Sequence, residues 1–519
     1  MSKINVCLYL LAGGLVVAAC TDLATTVEDG IGVEVVEGSV PPIADPAAAL
    51  TGVYNQLRQL RGVGNTFALM GHTSDEMMGP TRGTDWSDFG VWRQLHAHTW
   101  DPSHGQVLGS WNQLNEGIFR ATQVVDAPTS TALQVAEARF LRAFFAFYVM
   151  DLFGQVPFRP SDAPPAAIPD VMDRPAAFDF IVDDLLAARP ELPTLTSGDQ
   201  AGTASQEAVD FLLARLYLNR AVYTTSTPAN PSAGPYTFDN ADMDEVIARV
   251  QTIIDNPYTD LTAFWDNFHW NNTTLSNELV FVKGEAAGAG GNFTTFWWTL
   301  HYHNSPSGCC NGFVTLGEFY DLFEQADVRR SAYIPEMTAE TGVWAGILEG
   351  QQYGGYEDPN TPVEPLTDRG GNPLIFTREV DLFYSNERMG LRVIKYLLNP
   401  DQVNEPGTDF IFFRYADALL MKAEAHFRKG ENGQALAIVN QIRTNRGASQ
   451  LTSITEQDLL DERGRELYWE GWRRHDQVRF GVFTEEWEQK PASEAHRVMF
   501  PIPQRALDTN PNLVQIQGY

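Results

Sequence analysis

The chain has 519 residues, 44% of them hydrophobic, which is enough for one large or two fused domains with a sizeable core. Its 66 acidic against 36 basic side chains leave a formal charge of −30. Such a surface repels phosphate backbones, which argues against a nucleic-acid partner, and it disfavours lying flat on an anionic membrane.

Lys3 precedes an apolar run from Val6 to Val17, and the run closes with Val17-Ala18-Ala19-Cys20. A positive start, a short apolar stretch and small residues at its end mark a secretory signal. The stretch is shorter than the ~20 residues that span a bilayer. Its last four residues resemble the lipobox of bacterial lipoproteins. That resemblance implies a signal over 1–19, acylation of Cys20 and a lipid-tethered protein outside the cytoplasm. Residues 20–45, rich in Thr, Val, Gly, Glu and Pro after the cysteine, read as a flexible tether, and 46–519 as the folded domain. Cys7 leaves with the signal. Cys309 and Cys310 are adjacent; a vicinal disulfide there is strained, because neighbouring α-carbons lie ~3.8 Å apart, and two free thiols are the alternative.

From Pro46 onward the dominant signal is helical. Phe178, Ile181, Val182, Leu185 and Leu186 form one apolar stripe, opened by Asp173 and Pro175 and closed by Pro190. Further helices are expected over 134–153, 205–223, 244–255, 414–429, 433–445 and 456–472. The pair split by Gly430-Glu431-Asn432-Gly433 has the dimensions of a tetratricopeptide-like unit, although no clean repeat of ~34 residues runs through the chain. Two stretches, about 61–112 and 256–410, are rich in Gly, Asn, Pro, Thr and aromatics, with few helical stripes. Irregular segments that long are usually functional.

Four segments together resemble the SusD/RagB family of outer-membrane nutrient-binding lipoproteins. They are Ala136-Glu137-Ala138-Arg139-Phe140-Leu141-Arg142 with Leu152-Phe153-Gly154; Phe413-Arg414-Tyr415-Ala416-Asp417 through Ala425 with Asn440-Gln441-Ile442-Arg443; Glu462-Arg463-Gly464-Arg465-Glu466 running into Glu470-Gly471-Trp472-Arg473-Arg474-His475-Asp476; and Pro501-Ile502-Pro503. The resemblance implies a mostly α fold: a tetratricopeptide-like superhelix of helix pairs scaffolding a large loop-rich region. It also implies a partner, a SusC-type TonB-dependent β-barrel transporter, and non-catalytic capture of an oligosaccharide at the outer-membrane surface. Rival readings are a peptide-binding RagB-like lipoprotein, a surface glycoside hydrolase and a tetratricopeptide-type assembly lipoprotein. Only Thr21-Asp22 remains of the family's acidic surface-export signal after the cysteine. Within the signature segments, Glu137/Arg142, Asp417/Arg414 and Glu466/Arg463/Arg473/Asp476 stand at helical spacings and are expected to pair and hold the fold.

No G-x-S-x-G, H-E-x-x-H, Walker or G-x-G-x-x-G pattern is present, and no cofactor is expected. Asp75, Glu76, Asp85 and Asp88 form the one acidic cluster beside tryptophans. His96, His98, Asp101 and His104, or His301 and His303, are candidate metal ligands, but the expected metal content is none. A structural calcium is compatible with the acidic, Asn-rich loops, though no EF-hand loop occurs. The stronger constellation is aromatic and polar. A sugar ring offers an apolar C–H face to an indole and hydroxyl edges to Arg and carboxylates. Asp75, Arg82, Asp85, Trp86 and Trp92 in the first irregular stretch are therefore the candidate ligand residues, with Trp297, Trp298 and Tyr302 from the second. Trp111, Trp469 and Trp472 are expected in the core.

Overall fold

A computed structural model describes residues 43–519 except 165, 286–293 and 404. The lipobox, Cys20 and the tether up to residue 42 lie outside the described residues. Among the described residues no strand exceeds five residues, so helices carry the core.

The central element is the helix Ala132–Phe153. Thr131 and Gln134 exchange side-chain and backbone bonds in a capping box, and Gly154 ends the helix in the left-handed region at φ 71°. From Phe140 to Phe153 every residue is buried, because neighbours cover all faces of that stretch. The helix Gly105–Asp126 packs so closely that a Cβ on Gly117 would lie 2.6 Å from the Phe145 ring. Arg174–Ala188 covers another side, and Gln206–Thr225 follows and pairs with Asn240–Ile254. Near the end Tyr415–Arg428 pairs with Asn432–Asn445 and also packs on Asn240–Ile254, which closes the succession of helix pairs. An antiparallel ribbon, Leu279–Lys283 with Phe410–Arg414, brings Phe281 and Phe412 against Phe144, at ring separations of 5.4 and 5.2 Å. It joins the loop-rich region to the helices.

Two sequence expectations change here. The irregular stretch 61–112 ends early, because Gly105 already opens the 22-residue helix; burial of Val107, Trp111, Leu114 and Ile118 overrides the weak helix propensity of its Gly and Asn residues. The helix expected over 456–472 stops at Leu467. Trp469 and Gly471 take positive φ (56° and 82°), and the chain restarts as Arg473–Arg479. The break lets Trp469 donate its backbone N–H to Glu76 Oε2 (3.0 Å) and its indole N–H to Glu76 O (2.9 Å).

The signature charges are buried but choose distant partners. Glu137 accepts from Tyr54 Oη at 2.6 Å, while Arg142 forks onto Asp184 at 2.7 and 2.8 Å. Asp417 is held by Arg463 at 3.0 Å and by Arg215. Arg473 forks onto Asp75, both bonds 2.7 Å. Glu466, with no exposure, accepts from Arg329 (2.8 Å), Arg414 (2.7 Å) and Arg446 (2.8 Å). Arg414 also forks onto Glu470, and Arg446 reaches Glu278 at 2.8 Å. Local spacing named the right residues; of the expected pairs Arg463–Asp476 forms, at 2.8 Å, and the others give way to partners on other elements. Each Arg spans the gap between elements, where a bidentate carboxylate satisfies more of its donors than a neighbour on its own helix can.

Glu76 is fully buried and its Oε1 has no partner. Burial pushes its carboxyl up to about 8, against the opposing Trp469 N–H bond. The folded protein therefore keeps a proton that the unfolded chain releases near 4.5, and stability falls as pH rises between those values. Glu76→Gln removes the titration. Its melting temperature is expected to match the parent at pH 5 and exceed it at pH 8. A constant difference across that range would refute the assignment.

Candidate functional site

The segment after Asn65–Gly71 is hooked to the second irregular region by paired bonds between Met78 and Val314. It then takes a strained path. Gly83, Trp86, Asp88, Phe89 and Gly90 all have positive φ, at 63, 60, 32, 52 and 86°. A non-glycine residue there costs about 1–3 kcal/mol and persists only when its surroundings over-determine it. Here they do. Arg82 and Asp85 bond each other's backbone (2.9 and 3.0 Å), Trp92 Nε1 donates to Asp88 at 2.6 Å, and Trp86 Nε1 donates to Cys310 O at 2.8 Å. The Arg82 guanidinium braces the loop from beneath through the carbonyls of Met389 (2.9 Å) and Asn386.

Trp86 lies half-buried on the bare backbone of Gly312, where an added Cβ would meet its ring at 2.5 Å. Its ring is 5.7 Å from that of Trp298 and 4.9 Å from that of Phe313. Cys309 and Cys310 form a vicinal disulfide in the adjoining turn. A polar chain borders these rings. Tyr302 Oη donates to Asp85 at 2.7 Å, and Arg369 donates to Asp85 at 3.1 Å while lying 4.1 Å over the Tyr302 ring. Arg369 also pairs with Glu387, which His301 Nε2 meets at 2.9 Å. His301 Nδ1 accepts from the His303 N–H (3.1 Å) and burial lowers the ring's pKa, so the neutral ring carries its proton on Nε2. Burial opposes ionisation of Glu387, but the bonds from His301 and Arg369 outweigh it and hold the carboxyl at about 2. Burial and Asp85 push the Tyr302 hydroxyl up to about 12.

The structure thus brings together Asp85, Trp86, Trp298 and Tyr302. The other four candidate residues are placed differently. Asp75 is committed to Arg473, Arg82 is buried as the loop's brace, and Trp92 is packed under the loop. Trp297 is 1% exposed and donates to Tyr396 O at 3.3 Å, so it belongs to the core. Trp111, Trp469 and Trp472 are buried, as expected. The histidines diverge: His96 meets Glu488 O, His98 bridges Thr73 O and Ser493, and His104 meets Val91 O. No group of three His, Cys, Asp or Glu able to hold a metal occurs among the described residues.

Sequence reasoning missed Arg369 and Glu387, weighed His301 only as a metal ligand, and also missed Phe89, Phe383 and Tyr384. Phe89 is fully exposed and Tyr384 is 85% exposed. The turn that presents Phe383 and Tyr384 is anchored by their N–H groups on Asp381 (2.8 Å each), and Thr81 ties it to the strained loop. These rings stand on braced turns outside the core. No local signal marks them, since the contact between the two loops spans about 300 residues of sequence.

The model of the SusD family matches residues 384–519. Over that stretch the chain is similar to the SusD/RagB family. It is 27% identical to the starch-binding protein SusD of Bacteroides thetaiotaomicron over 474 residues, which cover 82% of this chain and 81% of that one. It is 35% identical to SusD-like protein P38 of Formosa agariphila over 142 residues, covering 25% of this chain and 28% of the other. Among solved structures, a laminarin-binding SusD-like protein superimposes with a TM-score of 0.65 at 20% identity, covering 92% of this chain and all (100%) of the other. Surface glycan-binding protein A of Bacteroides thetaiotaomicron, in complex with laminarihexaose, gives 0.63 at 18% identity, covering 91% and 98%. The mostly α, tetratricopeptide-like fold is therefore that of the SusD-like proteins. No helix among the described residues is long and apolar enough to cross a membrane.

Proposed function

We propose that this protein captures an oligosaccharide at the outer-membrane surface, without cleaving it, and delivers it to a SusC-type TonB-dependent barrel. The juxtaposition of Trp86, Trp298 and Tyr302 with the Asp85–Arg369–Glu387 chain carries the reading. The rings offer apolar faces, and the charged chain offers donors and acceptors to vicinal hydroxyls. The exposed Phe89 and Tyr384 extend the apolar surface around it. Binding names among the relatives, starch and laminarin, support a glucan-type cargo.

A hydrolase needs a carboxylic acid with a raised pKa facing the sugar. Beside the rings Glu387 is held ionised, and Glu76, whose carboxyl is raised to about 8, is walled off behind Trp469. Cys20 would anchor the protein by lipid, and uptake would be driven through the barrel.

The test is calorimetry and product analysis with maltohexaose and laminarihexaose, beside a glycan and peptide array. Retention of a glycan with no product after long incubation is expected. Binding confined to peptides, or accumulation of shortened sugars, would refute the reading. Cys20→Ala is expected to move the protein into the soluble fraction.

A further inference from the structure

A second cavity, about 580 Å³, lies between the helix Gly105–Asp126, the strand Gln155–Phe158 and the short helix Gln504–Thr509. That volume is in the range of small-ligand sites. None of its lining residues belongs to the site around Trp86. Trp111, Phe119 and Phe158 supply its aromatic wall.

Its charge is the reverse of the protein's. The chain carries 66 acidic and 36 basic residues, yet the cavity is lined by Arg159 and Arg505 and by no Asp or Glu. Arg505 is exposed and has no ion-pair partner among the described residues. Arg159 lies 5.1 Å over the Phe119 ring and donates to Pro164 O at 2.9 Å, which fixes its guanidinium at the rim.

Trp111 forms part of the wall. It is 6% exposed, packs edge-on to Phe153 at 5.1 Å, and borders the cavity. The amides of Asn112 and Asn115 line the same wall.

We propose that this cavity is a second saccharide site, which takes an anionic sugar carrying a carboxylate or a sulfate. The anion would meet Arg505 and Arg159 in charge-assisted bonds, and the aromatic wall would cover the C–H face. The inference extends the capture reading to a second class of sugar, and it does not require the Trp86 site to be occupied.

The test is calorimetry on the purified full-length protein with trigalacturonate, a sulfated chondroitin disaccharide and neutral maltotriose. One of the two anionic probes is expected to bind, more weakly as salt rises, and which of them binds names the anion. Arg505→Ala is expected to weaken that binding about tenfold, Arg505→Lys to restore part of it, and Trp86→Ala to leave it unchanged. Arg505 is exposed, so an unaltered melting temperature is expected for both variants. Absence of binding by both anionic probes, equal binding of maltotriose, or indifference to Arg505→Ala would overturn the proposal. Loss of neutral-sugar binding in Trp86→Ala alone would leave it intact and concern the first site.

Discussion

Replacing Glu466 with alanine is expected to lower the unfolding free energy by about 3–5 kcal/mol, the cost of leaving buried charge uncompensated. The figure belongs at the upper end of that range, because three guanidiniums converge on this carboxylate. Arg329, Arg414 and Arg446 all lie within 2.8 Å of it, and all four side chains are buried. Their mutual repulsion is balanced only by Glu466 together with Glu278, Glu462 and Glu470. In a chain of this size the loss corresponds to roughly 3–5 °C in melting temperature. Glu116 is the control. Its pair with Arg120 is about half exposed, so Glu116→Ala is expected to change stability by less than ~1 kcal/mol. Sugar affinity measured well below the transition should be unchanged in both. An affinity loss in Glu466→Ala with an intact melting temperature would move the network from scaffold to site.

Trp86→Ala is expected to weaken oligosaccharide binding by about 5–150-fold, the equivalent of ~1–3 kcal/mol for losing a large apolar face. Removing the indole also frees Cys310 O and relieves the contact with Gly312, so the loop around it is expected to loosen as well. Gly312→Ala separates these effects. Its Cβ would push the ring aside while keeping every side chain of the site. Calorimetry on both variants, with circular dichroism to verify the fold, distinguishes a platform that must be present from one that must also be placed. If both variants bind as the parent does, the platform lies with Phe89 and Tyr384 instead.

Helices were legible in the sequence wherever periodicity and caps agreed, as in Ala132–Phe153 with Thr131 before it and Gly154 after it. Legibility failed where tertiary burial overrode local preference. Gly105–Asp126 is helical despite its glycines, and the 456–472 run breaks because Trp469 is needed at Glu76. The candidate site divides in the same manner. Composition pointed to Asp85, Trp86, Trp298 and Tyr302, but a tryptophan in an irregular segment gives no sign of whether it faces solvent, and Trp297 does not. Arg369 and Glu387 lie nearly 300 residues beyond Asp85, and only the folded chain places them beside it.

The closure between Asp75 and Arg473 spans 398 residues, and that between Trp100 and Tyr519 spans 419. Glu278 waits another 168 for Arg446. During synthesis, then, the loop that will carry the ligand rings has no floor until the final turns of the chain emerge. A chain stopped short of residue 466 leaves Arg329, Arg414 and Arg446 without the carboxylate they share, so the network that ties the helices together is completed only near the end of the chain.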